Sequence, residues 1–218
     1  MRRKFPLESL PVKPDLGFES ALWSSGLDKI AGIDEAGRGA LAGPVAAAVL
    51  LLPADDNVAD RLEGVRDSKV MTPTAREYWG ELIMETALDW AVGFATHKEI
   101  DEIGILPATR LAIGRAFDLL QFTPQHLLID YIELKEYSIA QTSLVKGDAR
   151  SLSIAGASIL AKTSRDDLMR QFGDRYPGYG FAANKGYGTR THREALMSLG
   201  PCPIHRKSFR LQGIGDKG

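Results

Sequence analysis

Residues 32–39 read Gly-Ile-Asp-Glu-Ala-Gly-Arg-Gly, so two adjacent carboxylates leave an apolar run and enter a turn carrying one arginine between two glycines. Asp34 and Glu35 stand where a core strand ordinarily carries Val or Ile, and must therefore be ligated, paired or exposed at the edge of a cleft. Gly37 and Gly39 permit positive φ and close backbone approach, which lets the local N–H groups face an anion. Arg38 adds a forked donor suited to phosphate. Two further acids share this placement: Asp130 ends the run Leu127-Leu128-Ile129, and Asp148 follows a short apolar run through Lys146 and Gly147. Four such carboxylates repel one another unless a cation neutralises them, and hard oxygen ligands suit Mg²⁺ or Mn²⁺ rather than zinc. Two divalent ions about 4 Å apart activate water on one side of a phosphodiester and stabilise the leaving oxygen on the other, with no His, Ser or Cys nucleophile.

Such acids need strands to position them. The pattern predicts buried strands over 29–34 and 45–52, joined by a hairpin-type turn. Thr72-Pro73 reads as an N-cap followed by proline at the first helical position, and apolar residues then recur at helical spacing to about Leu88. Further strands are predicted over 90–96, 126–130 and 143–145. A helical turn is expected over 98–103 and longer helices over 107–120, 153–172 and 191–199. Residues 1–27 lack clear periodicity and read as a loosely packed N-terminal arm. The mixture implies an α/β or α+β sheet covered by helices, with ligands at the strand ends.

The 218-residue chain fits one domain, or one domain plus a small appendage, and is long enough to bury a substantial core. It carries no run of about 18 uncharged apolar residues, and the basic start Met1-Arg2-Arg3-Lys4 is followed by prolines and acids rather than a signal sequence. A cytoplasmic protein is expected. Cys202 is the single cysteine, which excludes an internal disulfide and a thiolate zinc cluster. His97, His126, His192 and His205 have no ligand-like spacing and read as structural or surface residues. The formal charge is −1, yet residues 160–218 hold 11 Lys+Arg against 5 Asp+Glu. A basic C-terminal quarter beside an acidic remainder suits nucleic acid gripped by one part and cut at metals held by the other.

The ordered set of residues 32–39, Asp67-Ser68-Lys69, Leu128-Ile129-Asp130, Val145-Lys146-Gly147-Asp148, residues 157–162, Arg165-Asp166, Gly180-Phe181, residues 185–189 and His205-Arg206-Lys207-Ser208-Phe209 closely resembles ribonuclease HII, in order from about residue 29 to 210. The resemblance implies a ribonuclease H-like fold, a mixed central sheet flanked by helices, with a helical C-terminal segment. It divides the chain into an arm (1–27), a catalytic domain (28–210) whose part from about 175 to 210 contacts substrate, and a tail (211–218). It implies an endonuclease that cuts RNA in RNA–DNA hybrids and cuts 5′ of ribonucleotides embedded in duplex DNA, leaving 3′-OH and 5′-phosphate ends. By matching position, Asp34, Glu35, Asp130 and Asp148 are the catalytic, metal-binding acids, holding two Mg²⁺ or Mn²⁺ ions. Gly37, Arg38 and Gly39 match the loop that senses the 2′-hydroxyl, and Tyr187 matches the tyrosine that packs on the neighbouring sugar.

That assignment agrees with elementary recognition chemistry, since the 2′-OH is what separates ribose from deoxyribose at one nucleotide. Lys69 is the favoured phosphate contact; Lys146, Lys162 and Arg165 are weaker candidates, because a solvated helix face also accounts for the last two. Asp166 and Asp167 read better as surface acids pairing with Arg165 or Arg170 than as metal ligands. The chain departs from the family pattern at Val70, where a second lysine is usual, and at Tyr131, where glycine is usual. Arg38 and the short leader favour this family over its sister ribonuclease HIII. The tail 212–218 lacks the aromatic pair of a sliding-clamp contact, and a monomer is expected. A related nuclease acting on DNA junctions and a catalytically silent nucleic-acid-binding module are the competing readings. The intact acid set speaks against the second.

Overall fold

The computed structural model describes residues 11–209. Within them five strands form one sheet in the order β3-β2-β1-β4-β5: β1 (Ile30–Ala36), β2 (Val45–Leu51), β3 (Asp89–Ala95), β4 (His126–Asp130) and β5 (Ala140–Leu144). β1, β4 and β5 run parallel, with Ile33 level with Ile129 and Asp130 level with Leu144. The link from β1 to β2 spans residues 37–44, too short for a parallel crossover, so β2 returns antiparallel and the sheet is mixed. Every residue of β2 is buried, which explains its unbroken apolar run Val-Ala-Ala-Ala-Val-Leu-Leu.

The helices are α1 (Gly17–Ser24), α2 (Val58–Arg61), α3 (Pro73–Thr86), α4 (His97–Ile103), α5 (Ile105–Phe117), α6 (Leu152–Arg175), α7 (Phe181–Asn184) and α8 (Arg190–Leu199). Thr72 caps α3 by accepting the Ala75 N–H, with Pro73 in the first turn, as the sequence predicted. Thr96 and Glu99 form a reciprocal capping box that starts α4. None of the described helices is long and apolar enough to cross a membrane.

The chain folds as two compact units. Among the described residues one holds 11–34, Ala48–Ala91 and Leu119–Leu160; the other holds Glu35–Ala47, Val92–Asp118 and 161–209. Each is assembled from three separate stretches of chain. The expected tail (211–218), like residues 1–10 of the expected arm, lies outside the described residues.

In the first unit β1 meets the start of α6 at backbone distance. A Cβ on Gly32 would lie 2.2 Å from the Ser153 carbonyl carbon, so only glycine fits there. The expectation of a loose arm fails for residues 17–24. α1 is a helix whose Glu19 is 1% exposed, and its Oε1 accepts the Ser151 and Ser153 hydroxyls and the Ser153 backbone N–H. Phe18, Leu22 and Trp23 of α1 pack against Ile30, Leu128, Leu144 and Ile154, but its one fully buried residue is an acid, which the sequence did not suggest.

Burial raises the Glu19 carboxyl above its ordinary 4.5, against the hydrogen bonds from Ser151 and Ser153. A raised acid stabilises the fold fully below the unfolded value of 4.5, and that contribution is lost as pH rises through the folded value. Glu19→Gln therefore melts higher than the parent at pH 7.5, by about 2–4 °C for each kcal/mol recovered, and shows no advantage at pH 4. Lower melting at both pH values, followed by circular dichroism, contradicts this.

Candidate active site

The parallel register of β1 and β4 carries Asp34 one step past Ile33 and Asp130 one step past Ile129. Neighbouring strands lie about 4.8 Å apart, and residues at the same level of a parallel pair share a face. Asp34 and Asp130 are thereby forced into proximity by strand pairing itself. Asp148 arrives by a different route. After β5 the chain turns through Lys146, held at φ 56°, into a short 3-10 turn, Gly147–Ala149. Asp130 Oδ1 accepts the Gly147 N–H at 2.8 Å and so pins that turn against the end of β4. One carboxylate oxygen from each of Asp34, Asp130 and Asp148 lies within 4.8 Å of the others, with Asp34 and Asp148 buried. All three belong to the first unit.

Lys69 Nζ donates to Asp148 Oδ2 at 2.8 Å. Burial works against its ammonium, but the hydrogen bond to Asp148 and the fields of Asp148, Asp34 and Asp67 raise its affinity for the proton. The sequence placed Lys69 on the phosphate path; the structure places it as a cation on the acid cluster. Its loop is fixed by the Lys69 N–H bonding to Asp67 and by the buried Ser68–Ser158 hydroxyl pair.

Glu35 is not among the three convergent acids. As the residue after Asp34 on a strand its side chain leaves by the opposite face, and its Oε1 accepts Arg38 NH1 at 2.9 Å. The Arg38 guanidinium is thus held by an acid, with about a third of its side-chain surface exposed. Gly37 has φ 93°, and a Cβ there would lie 1.9 Å from Arg165 Nε. Gly39 differs from the expectation: its φ is not in the left-handed region, and a Cβ would meet nothing within 4 Å, so its role is an open approach rather than a strained turn.

Arg165 and Lys162, the weaker phosphate candidates on α6, are both engaged by the protein itself. Arg165 is fully buried and donates to the carbonyls of Pro44, Lys185 and Ala42. Lys162 pairs with Asp166 one turn on, and Asp166 is itself buried rather than a surface acid. Asp167 pairs with Arg170, as the helix spacing predicted. Tyr131, where glycine is usual, sits at φ 65° and is 68% exposed, so the left-handed turn after Asp130 is kept without glycine.

Tyr187 follows two left-handed residues, Lys185 and Gly186, and its half-buried ring lies 5.3 Å from the Arg165 guanidinium. Its carbonyl faces His192 Nδ1 at 2.9 Å, and His192 Nε2 lies 3.1 Å from His205 Nε2. The Cys202 N–H donates to His205 Nδ1. One tautomer pattern satisfies this chain: His192 donates to Tyr187, His205 donates to His192, and both rings are neutral. Burial lowers both, His205 to about 4. No sequence spacing exposed this pair, because its members stand 13 positions apart, one within α8 and the other beyond its end.

A mixed sheet with aspartates converging at the ends of adjacent parallel strands is the arrangement of the ribonuclease H-like class. Residues 31–212 match the ribonuclease HII family. The ribonuclease HII of Desulfitobacterium hafniense is 53% identical over 203 residues, covering 93% of this chain and 76% of its own. That of a Synechococcus species is 50% identical over 198 residues, covering 91% and 89%. The crystal structure of ribonuclease H2 from Pyrococcus horikoshii matches with a TM-score of 0.68 at 28% identity, over 84% of this chain and 94% of that one. The chain belongs to the ribonuclease HII family, and it is a ribonuclease H, an enzyme acting on RNA–DNA hybrids.

Lys69 supplies the positive charge nearest Asp148, so Lys69→Gln leaves the acids less neutralised. In chelator the variant melts about 2–4 °C below the parent, and saturating Mg²⁺ narrows the gap. A gap that persists unchanged in Mg²⁺ contradicts the role.

Proposed function

We propose that this enzyme cuts the phosphodiester 5′ of a ribonucleotide, in hybrids and in duplex DNA containing single ribonucleotides, leaving 3′-OH and 5′-phosphate ends. The convergence of Asp34, Asp130 and Asp148 within 4.8 Å carries the reading. Three hard oxygen donors at that spacing, with an ammonium already drawn onto one of them, fit Mg²⁺ or Mn²⁺. Glu35, paired with Arg38 on the opposite face of the strand, is the fourth acid by family resemblance and would have to turn away from Arg38 to join the other three. Asp34, Asp130 and Asp148 would hold the divalent ions, whose positive charge would activate water and steady the leaving oxygen.

The protein's own contribution is placement. The strand register fixes Asp34 beside Asp130, and the 3-10 turn fixes Asp148. Arg38 and Lys69 neutralise acids until substrate and cation arrive, so the site tolerates its charge in either state. Residues 37–39 present main-chain groups to the 2′-OH, with Gly39 leaving the approach open and Tyr187 offering a ring face to the adjacent sugar. Backbone contacts of this kind select ribose without reading base sequence. The same reading places the enzyme in the cytoplasm as a monomer that removes ribonucleotides from DNA.

Asp130→Asn lowers cutting at an embedded ribonucleotide more than about a hundredfold, since losing even a partner of a metal ligand costs about 10–100-fold. The measurement pairs that duplex with an all-DNA control. Unchanged cutting by the variant, or equal cutting of both duplexes by the parent, contradicts the reading.

A further inference from the structure

Two arginines, Arg165 and Arg206, are each 0% exposed, and every hydrogen bond the structure gives their guanidiniums goes to a backbone carbonyl. Both lie in the second unit, together with the turn they hold. Arg206 donates from Nε to Gly43 at 3.0 Å, from NH1 to Arg38 at 2.9 Å, and from NH2 to Gly37 at 2.8 Å and Pro44 at 3.1 Å. Arg165 donates from Nε to Pro44 at 2.8 Å, from NH2 to Ala42 at 3.2 Å and from NH1 to Lys185 at 2.9 Å. The two forks thus share the Pro44 carbonyl, one on each lone pair.

Burying two like charges is costly, and core packing alone is served better by apolar side chains. Burial, with Arg165 beside it, pushes the Arg206 guanidinium down to about 9, so it stays charged at neutral pH. What the pair gains is control of peptide orientation. In a trans peptide the C=O of one residue and the N–H of the next point in opposite directions. With the Gly37 and Arg38 carbonyls turned onto Arg206, the N–H groups of Arg38 and Gly39 are aimed the other way. Gly37 must lack a Cβ because Arg165 Nε would lie 1.9 Å from it. Arg165 also spans from the turn to the Tyr187 segment, through the Lys185 carbonyl and the Tyr187 ring. The Leu41 N–H to Gly186 bond at 2.8 Å adds a second tie between the same two segments.

We infer that Arg165 and Arg206 are positioning residues for ribose discrimination: a double guanidinium clamp that sets the peptide planes of residues 37–39 and fixes them relative to Tyr187. The inference rests on the proposed role of that turn and tyrosine at the 2′-OH. Neither arginine touches substrate. An ammonium cannot reproduce a planar fork, so lysine keeps the charge and loses the geometry.

The test compares Arg165→Lys and Arg206→Lys with the parent on two substrates, a DNA duplex carrying one ribonucleotide and a long RNA–DNA hybrid, each as kcat/KM. A single ribonucleotide offers one 2′-OH in one register, whereas a hybrid offers many registers. Cutting at the single ribonucleotide therefore falls at least tenfold further than cutting of the hybrid. The ratio of the two rates does not depend on how much of the variant is folded, so reduced stability cannot imitate the effect. If a lysine variant is too poorly folded to assay, Arg165→Gln keeps two N–H donors without a buried charge and carries the same comparison. Equal losses on both substrates, or no loss on either, overturn the clamp while leaving the parent's discrimination standing. A parent that cuts the one-ribonucleotide duplex no faster than all-DNA duplex overturns the 2′-OH reading and the clamp with it.

Discussion

Mutual repulsion among Asp34, Asp130 and Asp148 is the constraint from which the rest of the site follows. Carboxylate oxygens within 4.8 Å of one another cost about 3–4 kcal/mol per charged pair at an effective dielectric constant of about 20. The fold accepts that cost because the parallel pairing of β1 with β4 leaves no choice of position for two of the acids. Sliding the register by one residue would turn Ile33 and Ile129 out of the core, so the charge is held in place by the same apolar contacts that stabilise the sheet. Asp148 is then tied to Asp130 through the Gly147 N–H, and Lys69 answers part of the charge.

The second unit solves a different problem, the shape of a glycine turn. Glycines make such a turn possible but leave it with many conformations, and flexible recognition loops lose affinity to ordering entropy. Arg165 and Arg206 remove that freedom by bonding to its carbonyls from the buried side. The neutral His192–His205 pair does similar work one layer out, since its hydrogen-bond chain ends on the Tyr187 carbonyl. Polar groups are buried here in numbers, and nearly all of them hold backbone in place.

Four strand positions, the Thr72 cap and the three convergent acids were legible in the sequence because each follows from a local pattern, an apolar run ending in a carboxylate or Thr-Pro before a periodic stretch. The fifth strand, expected over 143–145, lies at Ala140–Leu144, where polar Gln141, Thr142 and Ser143 hide it. Glu35 and Arg38 were recognised as chemistry-bearing, but their pairing with each other depends on a three-residue turn whose rotamers no pattern specifies. Arg165 reads on a helical wheel like a solvated cation. Its burial depends on a carbonyl-rich turn more than 120 residues away in the chain. α1 was missed for the same reason, since Glu19 and its partners Ser151 and Ser153 are 132 and 134 residues apart. Long-range hydrogen bonds to backbone leave almost no mark on composition or periodicity.

The most direct test of the central claim is thermal unfolding of the protein and of Asp34→Asn, each in chelator and in Mn²⁺. If repulsion among the three acids is what a cation relieves, Asn at position 34 raises the melting temperature in chelator and abolishes most of the rise that Mn²⁺ gives the parent. A variant that melts lower in chelator yet keeps the full Mn²⁺ response would show that the cation binds elsewhere and that the three aspartates are not its site.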